Sequence, residues 1–176
     1  MLDERRIREA ERRVRRAIAE GRLRHGEGRY ACFFFKNAEN ALDCAALLLR
    51  KTEEGVLDGS LWVVNASYYA MFFAARGALE NVDVLLSGEE SRHLLVIDAF
   101  LHHFFVSGVL ERSLSGSRDA HALAFQLVDE YLAERSKRHA LTYELGREAM
   151  LANARTSLER ARRFVENVRA ARSGNA

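Results

Sequence analysis

The sequence predicts an all-α protein, a single up-and-down bundle of five or six helices, and three observations carry that expectation. No proline occurs in 176 residues, so nothing in the chain imposes the fixed φ and missing N–H that break helices. The 11 glycines stand mostly apart, as punctuation rather than as the dense turn signals of a sandwich or barrel. Between them, apolar side chains recur at three- and four-residue spacing, the period of a helix with one buried face. With 48% hydrophobic and 30% charged residues, a chain of this length fills one core and keeps a polar surface.

Six segments read as helices, roughly 3–20, 30–54, 60–81, 90–107, 118–140 and 147–171, and none reads as a strand. In the first, Ile7, Val14 and Ile18 form a thin stripe, helped by Ala10 and Ala17, among many arginines and glutamates. Such a helix needs a partner surface. The second carries Phe34, Ala38, Ala41, Leu42, Ala45, Leu48 and Leu49 on one face. A short connector, Gly55 to Gly59, and a candidate N-cap at Ser60 then predict an antiparallel hairpin with the third. No linker is long enough to separate two domains.

The third helix is the most informative. Leu61, Val64, Tyr68, Met71, Ala75 and Leu79 share one face, while Ala66, Ala70 and Gly77 let another backbone approach closely. On the remaining stripe lie Asn65, Tyr69, Phe72 and Arg76. A buried guanidinium requires a partner, so Arg76 either closes an internal ion pair or lines a site for an anion. The fifth helix carries a second polar cluster, where Ala124, Val128 and Tyr131 lead in helical steps to Arg135 and His139, with Lys137 and Arg138 alongside. Complementing the helix dipole explains Lys137. It does not explain two arginines and a histidine at the core edge, and Tyr143 follows them.

Composition excludes several classes. The formal charge of +2 is too small to hold a polyanion by long-range field. Cys32 and Cys44 form neither a disulfide framework nor a CxxC pair, which predicts a reduced, cytoplasmic protein. Nine arginines in the first 26 residues and no apolar run there leave no secretory signal. Residues 61–79 are long enough to span a bilayer, but Asn65, Ser67, two tyrosines and Arg76 make a buried central helix the better reading. His102 and His103 are adjacent and diverge around a helix, poor geometry for one metal, so neither metal nor cofactor is expected. Phosphate-cradling and dinucleotide-binding glycine motifs have no candidates, nor does a serine or cysteine nucleophile.

The string Asn65-Ala66-Ser67-Tyr68-Tyr69-Ala70-Met71-Phe72-Phe73-Ala74-Ala75-Arg76 resembles the tyrosine-pair helix of HEPN-domain proteins, prokaryotic helical bundles often encoded beside a minimal nucleotidyltransferase. His93, followed by Ile97, Phe100, Phe104 and Gly108, resembles that family's next helix, and Arg138 through Tyr143 its Arg-x-x-Ala-Asp-Tyr segment. The resemblance covers residues 31–172 as a HEPN-like bundle and leaves residues 1–30, the charged amphipathic helix, outside it. There are departures: Leu141-Thr142 replace the Ala-Asp. Ribonuclease members have an arginine, four to six residues, then a histidine. Here Arg135 and His139 are separated by three residues, Arg118 and His121 by two, and Leu145 stands where a histidine would follow Arg138.

The resemblance implies a homodimer that binds nucleotide or RNA and partners a minimal nucleotidyltransferase, as a component of a toxin–antitoxin pair, away from membranes. It sets the candidate site between the third and fifth helices: Arg135, Arg138 and His139 for any metal-independent ribonuclease chemistry, with Asn65, Tyr69, Arg76, His93 and Tyr143 for nucleotide or RNA binding. The alternative is a non-catalytic dimerisation and interaction module whose charged first helix docks on a partner.

Overall fold

A computed structural model describes residues 2–87, 92–114, 116, 119–144 and 148–173. Among these the protein is all-α apart from one short ribbon. Its helices are α1 (Glu4–Ala19), α2 (Ala31–Glu53), α3 (Ser60–Asn81), α4 (Arg92–Phe100), α5 (Val109–Ser113), α6 (Ala120–Tyr143) and α7 (Leu151–Ser173). All six expected helices have a counterpart. The fourth continues from α4 through π-helical turns over Leu101–Val106 to Gly108, whose φ of 73° ends the run in the left-handed conformation. The five-residue α5 that follows was not expected.

One expectation fails outright, because β1 (Leu23–His25) and β2 (Val84–Leu86) are strands, paired antiparallel with Leu23 opposite Leu86. Three residues are too few to show alternation, so the sequence carries no signal for them. The ribbon positions the crossing of the chain over α3. Gly28 lies so close that a Cβ there would sit 1.7 Å from the Glu80 carbonyl oxygen, and its N–H donates to Asp83 Oδ1.

α1 finds its partner surface within the chain. Asp3 caps it by accepting from Arg6 N at 2.6 Å. Ala10, Val14 and Ala17 are fully buried, whereas Ile18, expected on the same stripe, is 47% exposed. The helix packs on α4 and the π-helical turns. Arg6 and Arg13, two turns apart on its inner side, close on the buried Asp98 of α4 at 2.5 and 2.6 Å. A carboxylate taken out of water needs such partners.

α2 and α3 form the expected antiparallel hairpin, with Gly77 against the Phe35 ring and the Ala31 carbonyl. Its turn is capped differently from expectation. Ser60 is the first helical residue and is buried, and the Asp58 carboxylate accepts from its N–H at 3.2 Å. α3 is the central element, its Tyr68, Met71, Ala75 and Leu79 wholly enclosed. Tyr68 meets Tyr131 of α6, which packs on Phe100 and on Phe164 of α7. A smaller cluster of Ala45, Val63, Ala154 and Leu158 joins α2, α3 and α7. Lys137 proves to be a core partner rather than a dipole complement: its Nζ lies 2.7 Å from Glu134 Oε1 and 3.0 Å from Ser157 Oγ, and Arg160 bonds the same buried carboxylate.

Candidate functional site

α3 and α6 run antiparallel, which sets Asn65 against Thr142 and Tyr69 against Arg138. Arg138 is the centre. Its Nε donates to Asn65 Oδ1 at 3.3 Å, and one terminal nitrogen lies 3.4 Å from the Tyr69 hydroxyl and 3.5 Å from that of Tyr143. The same guanidinium stands 5.4, 5.3 and 5.8 Å from the ring centres of Tyr68, Tyr69 and Tyr143, close enough for cation–π attraction. Asn65 is held in turn by its Nδ2, which donates to Leu61 O, and by Thr142 Oγ1, which donates to its Oδ1.

α4 supplies His93. Its Nδ1 is 2.9 Å from the Tyr68 hydroxyl, and its ring lies 4.5 Å from that of Phe72. Burial holds the imidazole below its ordinary value, and the charges of Arg138 and Arg135 lower it further. Burial raises the Tyr68 phenol despite the same two arginines. At neutral pH the pair is therefore an un-ionised phenol and a neutral imidazole. The hydroxyl and Nδ1 share one hydrogen bond, whose direction is set by the imidazole tautomer.

Charge distribution separates this site from the rest of the molecule. Among the described residues, the half-buried cations Arg6, Arg13, Arg22, Lys51, Arg76, Lys137, Arg160 and Arg163 each face a carboxylate within 4 Å. Arg135 and Arg138 are also half-buried. No described carboxylate pairs with either, and the partners of Arg138 are neutral oxygens and ring faces. A guanidinium satisfied in this way keeps its charge for an incoming anion, which a planar fork of donors can grip through two oxygens.

The structure brings together Asn65, Tyr69, His93, Arg138 and Tyr143, with Arg135 near enough to act on Tyr68, Tyr131 and His93. It does not bring in Arg76. That residue lies 3.8 Å from Glu80 and 4.6 Å over the Phe34 ring, two helical turns beyond Tyr69, so the ion-pair alternative holds for it. His139 is exposed on the rim, its ring 5.3 Å from that of Tyr143, and no hydrogen bond joins it to Arg135. Arg118 and Leu145 lie outside the described residues. Sequence reasoning placed Tyr68 in the core alone and missed its bond to His93; two residues 25 apart give no local signal for such a contact.

Among the described residues no group of three or more histidine, cysteine, aspartate or glutamate side chains is placed to hold a metal ion, and no helix is long and apolar enough to cross a membrane. Compared with models of protein families, with curated proteins and with solved structures, the chain matches none of them. The class that fold and site define is therefore a physical one: an all-α protein with an arginine cradled by tyrosines between two antiparallel helices.

Proposed function

We propose that this chain is a nucleotide- or RNA-binding protein of HEPN type, an up-and-down bundle that works as a homodimer with a minimal nucleotidyltransferase in a toxin–antitoxin pair. The observation that carries the binding reading is Arg138. It is a half-buried cation that faces no carboxylate among the described residues, set among three phenol rings, which suits one phosphate and an adjoining base: the guanidinium takes the phosphate oxygens and an exposed ring such as Tyr143 takes the base face. Arg135 adds a second positive charge one turn away. The family, the partner and the dimer rest on the resemblance of the α3, α4 and α6 segments.

The test is equilibrium binding of labelled ATP and of a short single-stranded RNA at low salt. The parent should bind at least one of them, and Arg138→Ala should weaken that binding roughly tenfold or more. A parent that binds neither sinks the reading. The alternative, a non-catalytic dimerisation and interaction module, is favoured by the missing arginine–histidine spacing; α1 spends its inner side on its own bundle and on Asp98, which leaves its charged outer side for a partner.

A further inference from the structure

The outward side of α2 carries Phe33, Lys36, Asn40, Asp43, Leu47 and Arg50, all exposed, and turns away from α3 and α7, the helices on which α2 packs. Phe33 is 57% exposed and Leu47 50%, both large apolar side chains on one line. Beside Leu47 is a hollow of about 350 Å³ lined by Asp43, Ala46, Leu47 and Arg50. That spacing of i, i+3, i+4 and i+7 is the four-residue hole that receives a side chain from a facing helix.

The face is complementary to itself. When two α2 helices lie antiparallel with a twofold axis at Asn40, positions equally far on either side of Asn40 oppose each other. Phe33 then meets the hollow beside the second copy's Leu47, and Lys36 comes beside its Asp43. By symmetry each contact occurs twice, as an isologous interface requires. Asn40 pairs with itself at the axis, where a polar residue fixes register. The geometry points to a homodimer built by antiparallel packing of α2 on α2 about Asn40. The inference rests on the two-chain part of the function proposed above and uses none of its nucleotide chemistry. Asn65, Tyr69, His93 and Arg138 belong to α3, α4 and α6, so each copy keeps a whole site within its own chain.

One helix pair is smaller than a standard stable interface, so the dimer dissociates on dilution. Sedimentation from about 1 to about 200 micromolar should show a monomer–dimer equilibrium. Lys36→Glu and Asp43→Lys should each weaken association roughly tenfold or more, since each sets like charges side by side twice, and the double variant should restore it. In a Cys32→Ser, Cys44→Ser background, Asn40→Cys should form a disulfide-linked dimer under mild oxidation, while Arg24→Cys, exposed on β1, should not. A monomer throughout overturns the inference, as does a dimer that ignores both charge reversals or leaves Asn40→Cys uncross-linked. Nucleotide binding by Lys36→Glu should equal the parent's, so failure of the dimer and failure of the binding site are read separately.

Discussion

The Tyr68 hydroxyl and His93 Nδ1, 2.9 Å apart, join the core of the bundle to its candidate site. Tyr68 is fully buried, yet its one polar atom ends at the imidazole that lies beside the Arg138 cluster. The core thereby fixes the ring's orientation, and the site inherits a neutral histidine.

Truncating Tyr68 tests this coupling. Tyr68→Ala should destabilise the fold by about 3–5 kcal/mol, as large aromatic truncations in cores do, and His139→Ala by under about 1 kcal/mol, because that ring is exposed. Tyr68→Phe removes only the hydroxyl and should cost about 1 kcal/mol. Urea unfolding measures all three, and equal losses for Tyr68→Ala and His139→Ala would contradict the packing described.

Arg138→Ala should separate binding from stability. Its loss forfeits a charge-assisted contact to phosphate, about 1.5–3 kcal/mol of affinity, and flattens the salt dependence of binding. The melting temperature should change little, since contacts of a half-exposed guanidinium with rings and neutral oxygens are worth about 1 kcal/mol. A large fall in melting temperature would make Arg138 a structural residue.

Acid should destabilise the protein through its histidines. His93 is held below the ordinary 6.5 by burial and by Arg138 and Arg135. His103 is pushed down to about 4 by burial, His102 and His25. Both bind a proton less readily folded than unfolded, so the stability they confer is full above about pH 6.5 and is lost as pH falls toward 4. Melting temperature should drop across that window, and His93→Gln with His103→Gln should flatten the drop. Phosphate bound at Arg135 and Arg138 should raise the His93 midpoint in an NMR titration; no movement with saturating phosphate would place the anion elsewhere.

Removing the Asp98 carboxylate should release α1. Asp98→Ala leaves Arg6 and Arg13 without their shared partner, at a cost of about 3–5 kcal/mol. Amide exchange should quicken in Glu4–Ala19 more than in α3. Uniform acceleration would mean that α1 and the bundle open as one unit.

How much of this was legible in the sequence follows from the range of each signal. The long helices were, because apolar spacing and single glycines act within a few residues. Asn65, Tyr69, Arg138 and Tyr143 were legible as one site because two helices each carried polar groups on an otherwise apolar line. The β1–β2 ribbon was not, being a pairing of three-residue segments some sixty positions apart. Asp98 left a trace that went unused: one carboxylate within Val96-Ile97-Asp98-Ala99-Phe100, with Arg6 and Arg13 seven apart on a helix that needed a partner. Lys137 was misread for the complementary reason, since a lysine near a helix end is explained locally while its true partners are the buried Glu134 of its own helix and Ser157 of α7.

The clamp of Arg6 and Arg13 on Asp98 also orders events during synthesis. α1 leaves the ribosome about eighty residues before its carboxylate partner, and at about 5–20 residues per second it waits several seconds with Ala10, Val14 and Ala17 uncovered. Its abundance of arginine and glutamate, many of them in i, i+4 pairs such as Arg5–Glu9 and Arg8–Glu4, keeps that waiting helix hydrated and poorly adhesive. The charged surface that looks surplus in the finished fold is what the nascent chain needs before the fold exists.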